Sequence, residues 1–166
     1  IVGVFVIGAA GSNAFTAVEV QVFSEMTVEL GLGIQMQRAR AARVAAEQNL
    51  RLNLIHFRTI LSNQYTGVLV VSEDNLVKFA NEAFCTLFGL SETPAELEGQ
   101  PAAKMYGRLK PAYGDPEREW ARIQQILARG EPVEAEEISM QGGRIFLRDF
   151  VPIKIDGAPQ GRLWQQ

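Results

Sequence analysis

The sequence predicts an α+β chain: a five-stranded antiparallel sheet with helices on one face, preceded by a long N-terminal helix. Three observations carry this. Residues 34–62 hold no Gly or Pro and are dense in Ala, Arg, Gln, Glu and Leu, all good helix formers. Two short apolar runs then flank the turn Glu73-Asp74-Asn75. After Gly130 the apolar period changes from helical to two, across three further runs. Two strands, helices, then three strands make such a sheet.

The N-terminal segment, residues 1–33, is the least determined. Residues 1–18 carry no charge, and Gly11-Ser12-Asn13 interrupts them before they reach the roughly 20 apolar residues of a membrane span. A signal peptide would need a basic start, which is absent. Three readings stay open: a soluble element packed on a partner, the tail of a truncated membrane helix, or the end of an upstream domain. The chain begins at Ile1 rather than Met and is expected to be a piece of a longer protein. Val18, Val20 and Val22 alternate like a strand, while Phe23, Met26, Val28 and Leu30 suit a helix as well. Helix is preferred, because no turn signal precedes Gly31 and Gly33.

Residues 34–62 form the signalling helix. Leu50, Leu54, Phe57 and Leu61 follow the 4-3-4 spacing of a coiled-coil seam. Traced backwards, that seam meets Glu47, Arg43 and Arg40, so it covers about two heptads. Leu52 and Ile55 add a second apolar stripe, which suits a helix touching both a partner helix and its own domain. Packing on its own domain alone is the plainer alternative. The cluster Arg38, Arg40 and Arg43 is either a solvated helix face or a cytoplasmic membrane edge.

Residues 63–166 form the domain proper. Strand one spans 67–72 and strand two spans 76–80. Asn81 caps a helix over 82–88 that Gly89 closes. Thr93-Pro94-Ala95-Glu96 is a capping box with Pro at the first helical position. Asp115-Pro116 starts a helix that presents Trp120, Ile123, Ile126 and Leu127 on one face and stops at Gly130. Strand three spans 133–140, Gln141-Gly142-Gly143 turns the chain, and strand four spans 144–155. Asp156-Gly157 begins the last hairpin connection, and strand five spans 161–165.

Composition removes several function classes. A net charge of −3 and a pI near 5.3 argue against a nucleic-acid face, which needs clustered Lys and Arg. One cysteine, Cys85, rules out an internal disulfide and a zinc site with paired Cys ligands. One histidine, His56, rules out a His-rich metal site. "GAAGS" lacks the Lys of a phosphate-binding loop, and Cys85 with His56 would be the sole nucleophile and base pair. The fragment is therefore read as non-catalytic.

"TGVLVVSEDNLVKFANEAFCTLFGL" and "GGRIFLRDFVPIKIDGAPQGRLW" resemble the PAS domain, a sensor module of bacterial signal-transduction proteins such as sensor histidine kinases. The resemblance covers about 100 residues. It implies a PAS-like fold in which sheet and helices enclose a small cavity, with signals passing through terminal helices, often in dimers. The implied function is sensing a small ligand, or relaying a signal through the N-terminal helix to a kinase or cyclic-nucleotide enzyme in the same longer chain. The alternative is an interaction and dimerisation domain with a filled core and no ligand. A homodimer and a cytoplasmic location follow from the resemblance, with or without a membrane-anchored parent.

No cofactor is assigned. PAS haem proteins usually carry an axial His on the helix before strand three, and "DPEREWARIQQILARG" has none, so haem is disfavoured. The photoreactive flavin subfamily has its Cys in an Asn-Cys-Arg phrase. Cys85 sits earlier, in "AFCTLF", and flavin photochemistry is disfavoured too. The candidate pocket takes Leu69 and Phe79 as its floor and Met105, Tyr106, Leu109, Tyr113 and Trp120 as its helical wall. Strand four offers it Asp149 if the face of Ile145, Leu147 and Val151 points inward, or Arg148 if the face of Phe146 and Phe150 does. Both faces stay open. An inward Asp149 would be explained most simply by a hydrogen bond to backbone, whereas an inward Arg148 would suit a carboxylate ligand.

Overall fold

The computed structural model describes residues 3, 4, 6–8, 11 and 15–166. The chain divides into two compact units, residues 1–56 and 57–166. Most of residues 1–14 lies outside the described residues, and so does the reading of that segment.

Helix α1 (Ala17–Ser62) supplies most of the described first unit. At roughly 1.5 Å per residue it is about 69 Å long. Its start is fixed by Thr16, whose backbone N–H and hydroxyl donate to Glu19 Oε2 at 2.7 and 2.8 Å. Glu19 N–H donates back to Thr16 Oγ1 at 3.3 Å, completing a reciprocal cap. The ambiguous stretch 18–30 is thus helical. The helix also runs unbroken through Gly31 and Gly33, where a boundary at residue 33 would have placed a turn. Among the described residues no helix is long and apolar enough to cross a membrane.

The second unit is a five-stranded antiparallel sheet ordered β2-β1-β5-β4-β3, with helices on one face. Its strands are β1 (Val68–Ser72), β2 (Val77–Ala80), β3 (Val133–Ser139), β4 (Ile145–Ile155) and β5 (Ala158–Gln165). Between β2 and β3 lie α2 (Glu82–Phe88), α3 (Pro94–Leu97), α4 (Ala102–Leu109) and α5 (Pro116–Arg129). The caps fall where the sequence placed them. Asn81 Oδ1 accepts from Phe84 N–H, Asp115 Oδ1 from Arg118 N–H, and Glu96 takes both the backbone and hydroxyl protons of Thr93. The β4–β5 connection turns on Asp156 and Gly157 with φ of 51° and 80°. Positive φ at both central residues is what a type I′ hairpin needs.

Two register features decide which side chains reach the core. Val71 pairs with Val77 and Val70 with Phe79, so Lys78 is an extra residue in β2, a bulge. The bulge reverses the alternation. Val77 faces the helices, and Phe79 faces the opposite side of the sheet beside Val70. On β4 the open question resolves in favour of the Arg148 face: Arg148 and Phe150 are buried, while Ile145, Leu147 and Val151 are exposed. The core joins Leu69, Val71 and Val77 of the sheet to Phe84, Phe88, Leu97, Met105, Tyr106, Tyr113, Ile123 and Ile126 of the helical layer, and closes on Ile138, Phe150 and Trp164.

Candidate functional site

Of the predicted pocket residues, Leu69, Tyr106, Leu109 and Tyr113 line one cavity together with Phe84, Ile123, Trp164 and Gln166. Its volume is about 10 Å³. Pockets that hold drug-sized ligands run to roughly 300–1,000 Å³. In this conformation the space between sheet and helices is filled by side chains. Met105 is buried in the core without lining the cavity. Trp120 is half-buried, its ring 5.4 Å from that of Tyr106 and beneath the Lys110 ammonium.

Two predicted pocket residues lie elsewhere. The bulge at Lys78 turns Phe79 to the outer face, where the Arg58 guanidinium covers its ring at 5.6 Å. Asp149 also faces out, and its Oδ1 accepts from Ala135 N–H at 2.7 Å. Ala135 sits at φ 50° within the irregular register of β3, so Asp149 ties down an edge bulge through a backbone hydrogen bond.

Arg148, fully buried at 0% exposure, is saturated by protein carboxylates. Its Nε donates to Glu136 Oε2 at 3.1 Å and its Nη1 to Glu119 Oε2 at 3.1 Å, and Nη2 also bonds Glu136. Arg122 Nε donates to the other oxygen of Glu136 at 2.5 Å. Two guanidinium groups and two carboxylates therefore neutralise one another, clamping α5 onto β3 and β4. Burial alone would raise the Glu136 pKa, but the hydrogen bonds from Arg148 and Arg122 outweigh it and hold the carboxyl below its usual range. With its donors engaged, Arg148 is not a ready clamp for a carboxylate ligand. Glu119 and Glu136 were not singled out from the sequence, yet the signal was there. Glu136 is in phase with Ile138 and Met140, and counting outward from Gly142 sets it opposite Arg148.

Burial pushes the Cys85 thiol up to about 11, with Glu82 and Glu92 adding to the effect. A neutral, buried thiol is not a nucleophile. Burial likewise raises the Tyr113 phenol to about 12, against the opposing influence of Arg148. Among the described residues, no cluster of His, Cys, Asp and Glu could hold a metal ion.

The most connected polar side chain is Asn81, 1% exposed. Its Oδ1 accepts from Val68 N–H and Phe84 N–H, both at 2.9 Å. Its Nδ2 donates to Leu61 O at 3.1 Å and Thr66 O at 2.9 Å, with a longer contact to Gln64 O at 3.5 Å. One side chain thus joins the last turn of α1, the start of β1 and the start of α2. The sequence supports the cap; the bonds back to α1 arise only from the fold. An ion pair of Arg58 with Glu98 makes a second tie at the same helix end.

The family model for the PAS fold matches residues 55–159. The chain belongs to the PAS family. Among solved structures, the DhaR(N)–DhaL complex of E. coli is similar at 16% identity and a TM-score of 0.52, over 92% of this chain and 46% of that one. This chain therefore spans less than half of that structure's chain, and the likeness shows the fold alone. The PAS domain of a Colwellia psychrerythraea protein is 17% identical over 68% of this chain and 92% of its own, with a TM-score of 0.42. The PAS domain of the histidine kinase ThkA is 19% identical over 60% and 95%, with a TM-score of 0.44. No curated protein matches the chain.

Proposed function

We propose that this chain is a regulatory PAS module that relays a signal between its core and an effector through α1, as a homodimer joined along that helix. The effector would be a kinase or cyclic-nucleotide enzyme in the full-length protein. The observation that carries the reading is the contrast between the two aspects of α1. Its final turn is bonded to the domain through Asn81, while Leu50, Leu54 and Phe57 are 62%, 57% and 69% exposed and α1 buries no residue. Apolar residues left bare at coiled-coil spacing are suited to a second copy of the same helix. Leu61, the last of the seam, is half-buried at the joint. A helix fixed at one end and paired along its length can transmit a shift in the core as a change in helix packing.

Native mass spectrometry of the chain and of its Leu54→Arg variant tests this. A dimer that becomes monomeric in the variant, with the circular dichroism of the sheet retained, is expected. A chain that is monomeric at 100-fold the concentration of a typical micromolar dimer constant overturns the seam, and so does a dimer indifferent to both Leu54→Arg and Leu50→Arg. A second reading, sensing of a small ligand in the core, draws on the polar side chains at the cavity. It requires the aromatic wall to move apart, because the present volume does not admit an organic molecule.

A further inference from the structure

The end of α1 is held by two ties of different kinds. Asn81 is buried and donates to the carbonyl of Leu61. That carbonyl is among the last four of the helix, which have no partner within it, and it points along the helix axis. The bond therefore holds the helix end in place and leaves its roll free. Arg58, one turn earlier, works across the axis. Its guanidinium lies over the Phe79 ring at 5.6 Å and pairs with Glu98.

Glu98 ends α3 and opens a stretch that runs along the edge strand β2. Gly99 N–H donates to Val77 O at 2.8 Å, and Val77 N–H donates to Gln100 O at 2.9 Å. Leu76 bridges Pro101, and Ala102 N–H donates to Asn75 O at 2.8 Å. Ala102 begins α4, which carries Met105 and Tyr106 into the core. The ion pair thus joins the end of α1 to the segment that seats α4.

We infer that Arg58 is a positioning residue: with Phe79 and Glu98 it forms an ionic latch that sets the roll of the end of α1 and couples that end to α4. The inference rests on the relay reading for its meaning, but the latch lies within one chain. Its chemistry is that of a contact made to open. The side chains of Arg58 and Glu98 are 56% and 32% exposed, and ion pairs so wet are weak and screened by salt. The pairs of Arg148 with Glu119 and Glu136 are buried by comparison. Arg58 also follows Phe57 of the seam directly, so a roll about the Asn81 bond moves the seam with it. In a paired α1 the facing flank carries Asn53 and Ile60, and neither is charged. Pairing therefore leaves Arg58 to Glu98. The coupling is reciprocal: whatever loosens residues 98–101 loosens the end of α1, and the reverse.

Amide hydrogen exchange in the ¹⁵N-labelled 166-residue chain tests this, read at residues 57–62 and 99–102 and referred to the amides of α5. In the parent, both sets are expected to quicken about threefold between about 0.01 and about 1 M salt. Arg58→Glu sets two carboxylates together, so its exchange should be faster at low salt and slow as salt rises. Arg58→Glu combined with Glu98→Arg should restore the parent's rates and salt response. Exchange indifferent to salt, an Arg58→Glu variant that behaves as the parent, or a swap without rescue overturns the latch. A change confined to residues 57–62 overturns the coupling to α4. Repeating the series on Leu54→Arg separates the latch from the dimer: the salt response should persist there, and its loss would overturn a latch within one chain.

Discussion

Replacing Asn81 with Ala removes the acceptor and the donor of the joint at once. Loss of a side-chain N-cap costs about 1 kcal/mol. The Val68 N–H, bonded to Asn81 Oδ1 in a buried setting, is left without that partner, at about 1–3 kcal/mol. The carbonyls of Leu61 and Thr66 lie where water reaches the helix end more easily, so their loss adds little. Asn81→Ala is therefore expected to cost about 2–4 kcal/mol in urea unfolding, with a fall in Tm on the order of 10 °C. Asn81→Asp separates the two halves of the joint. A carboxylate caps as well as an amide and still accepts from Val68 and Phe84, but it cannot donate and sets negative charge against the Leu61 and Thr66 carbonyls. Amide exchange should stay slow at Phe84 in this variant and quicken in the last turn of α1. The reasoning is refuted if Asn81→Ala costs less than about 0.5 kcal/mol, or if Asn81→Asp leaves exchange in that turn unchanged.

Three other outcomes follow from the same geometry. Arg148→Met should destabilise the domain by about 2–4 kcal/mol, because Glu119 and Glu136 lose their shared partner in a largely buried setting, and adding Glu119→Gln and Glu136→Gln should recover most of it in chemical denaturation. Acid unfolding should report Glu136. Its folded pKa lies below the ordinary 4.5, so its contribution is full above that pH and is lost as the pH falls through the folded value; Glu136→Gln should flatten this part of the stability curve. Cys85, with its thiol near 11, should react with iodoacetamide at pH 8 on the order of 200-fold more slowly than a free thiol, and a rate like that of free cysteine would mean the residue is not buried.

What the sequence made legible was local chemistry. Asn81, Thr93, Asp115, Gly89 and Gly130 mark helix ends by side-chain hydrogen bonding or left-handed backbone, and these act within four residues. The period-two runs after Gly130 delivered the sheet. The start of α1 is equally local, since Thr16-Ala17-Val18-Glu19 is a capping box, whereas Gly31 and Gly33 mark no boundary because a long helix absorbs their cost of about 1 kcal/mol each. The site was less legible because it depends on pairing. Phe79 looked like a core residue by alternation, and only the β1–β2 register shows that it is not. Arg148 looked like a ligand clamp until its carboxylates on α5 and β3 came into place. Trp164 and Gln166 reach the cavity because β5 lies between β1 and β4, a neighbour relation that no local pattern encodes.

The extra residue in β2 is a spacer that stands outside the ladder. With Lys78 inserted, one short strand serves two customers: Val77 and Ala80 supply the interior, and Phe79 supplies the platform on which Arg58 rests. Delete that one residue and the same pairs remain as a regular ladder: Val77 still meets Val71, Phe79 still meets Val70 and Ala80 still meets Leu69. The identities at Val77, Phe79 and Ala80 are thus a stricter constraint than the length of the segment. Chain length can change at Lys78 and keep the joint, whereas a polar residue at Val77 or a small one at Phe79 would unsettle the packing on its own side of the sheet.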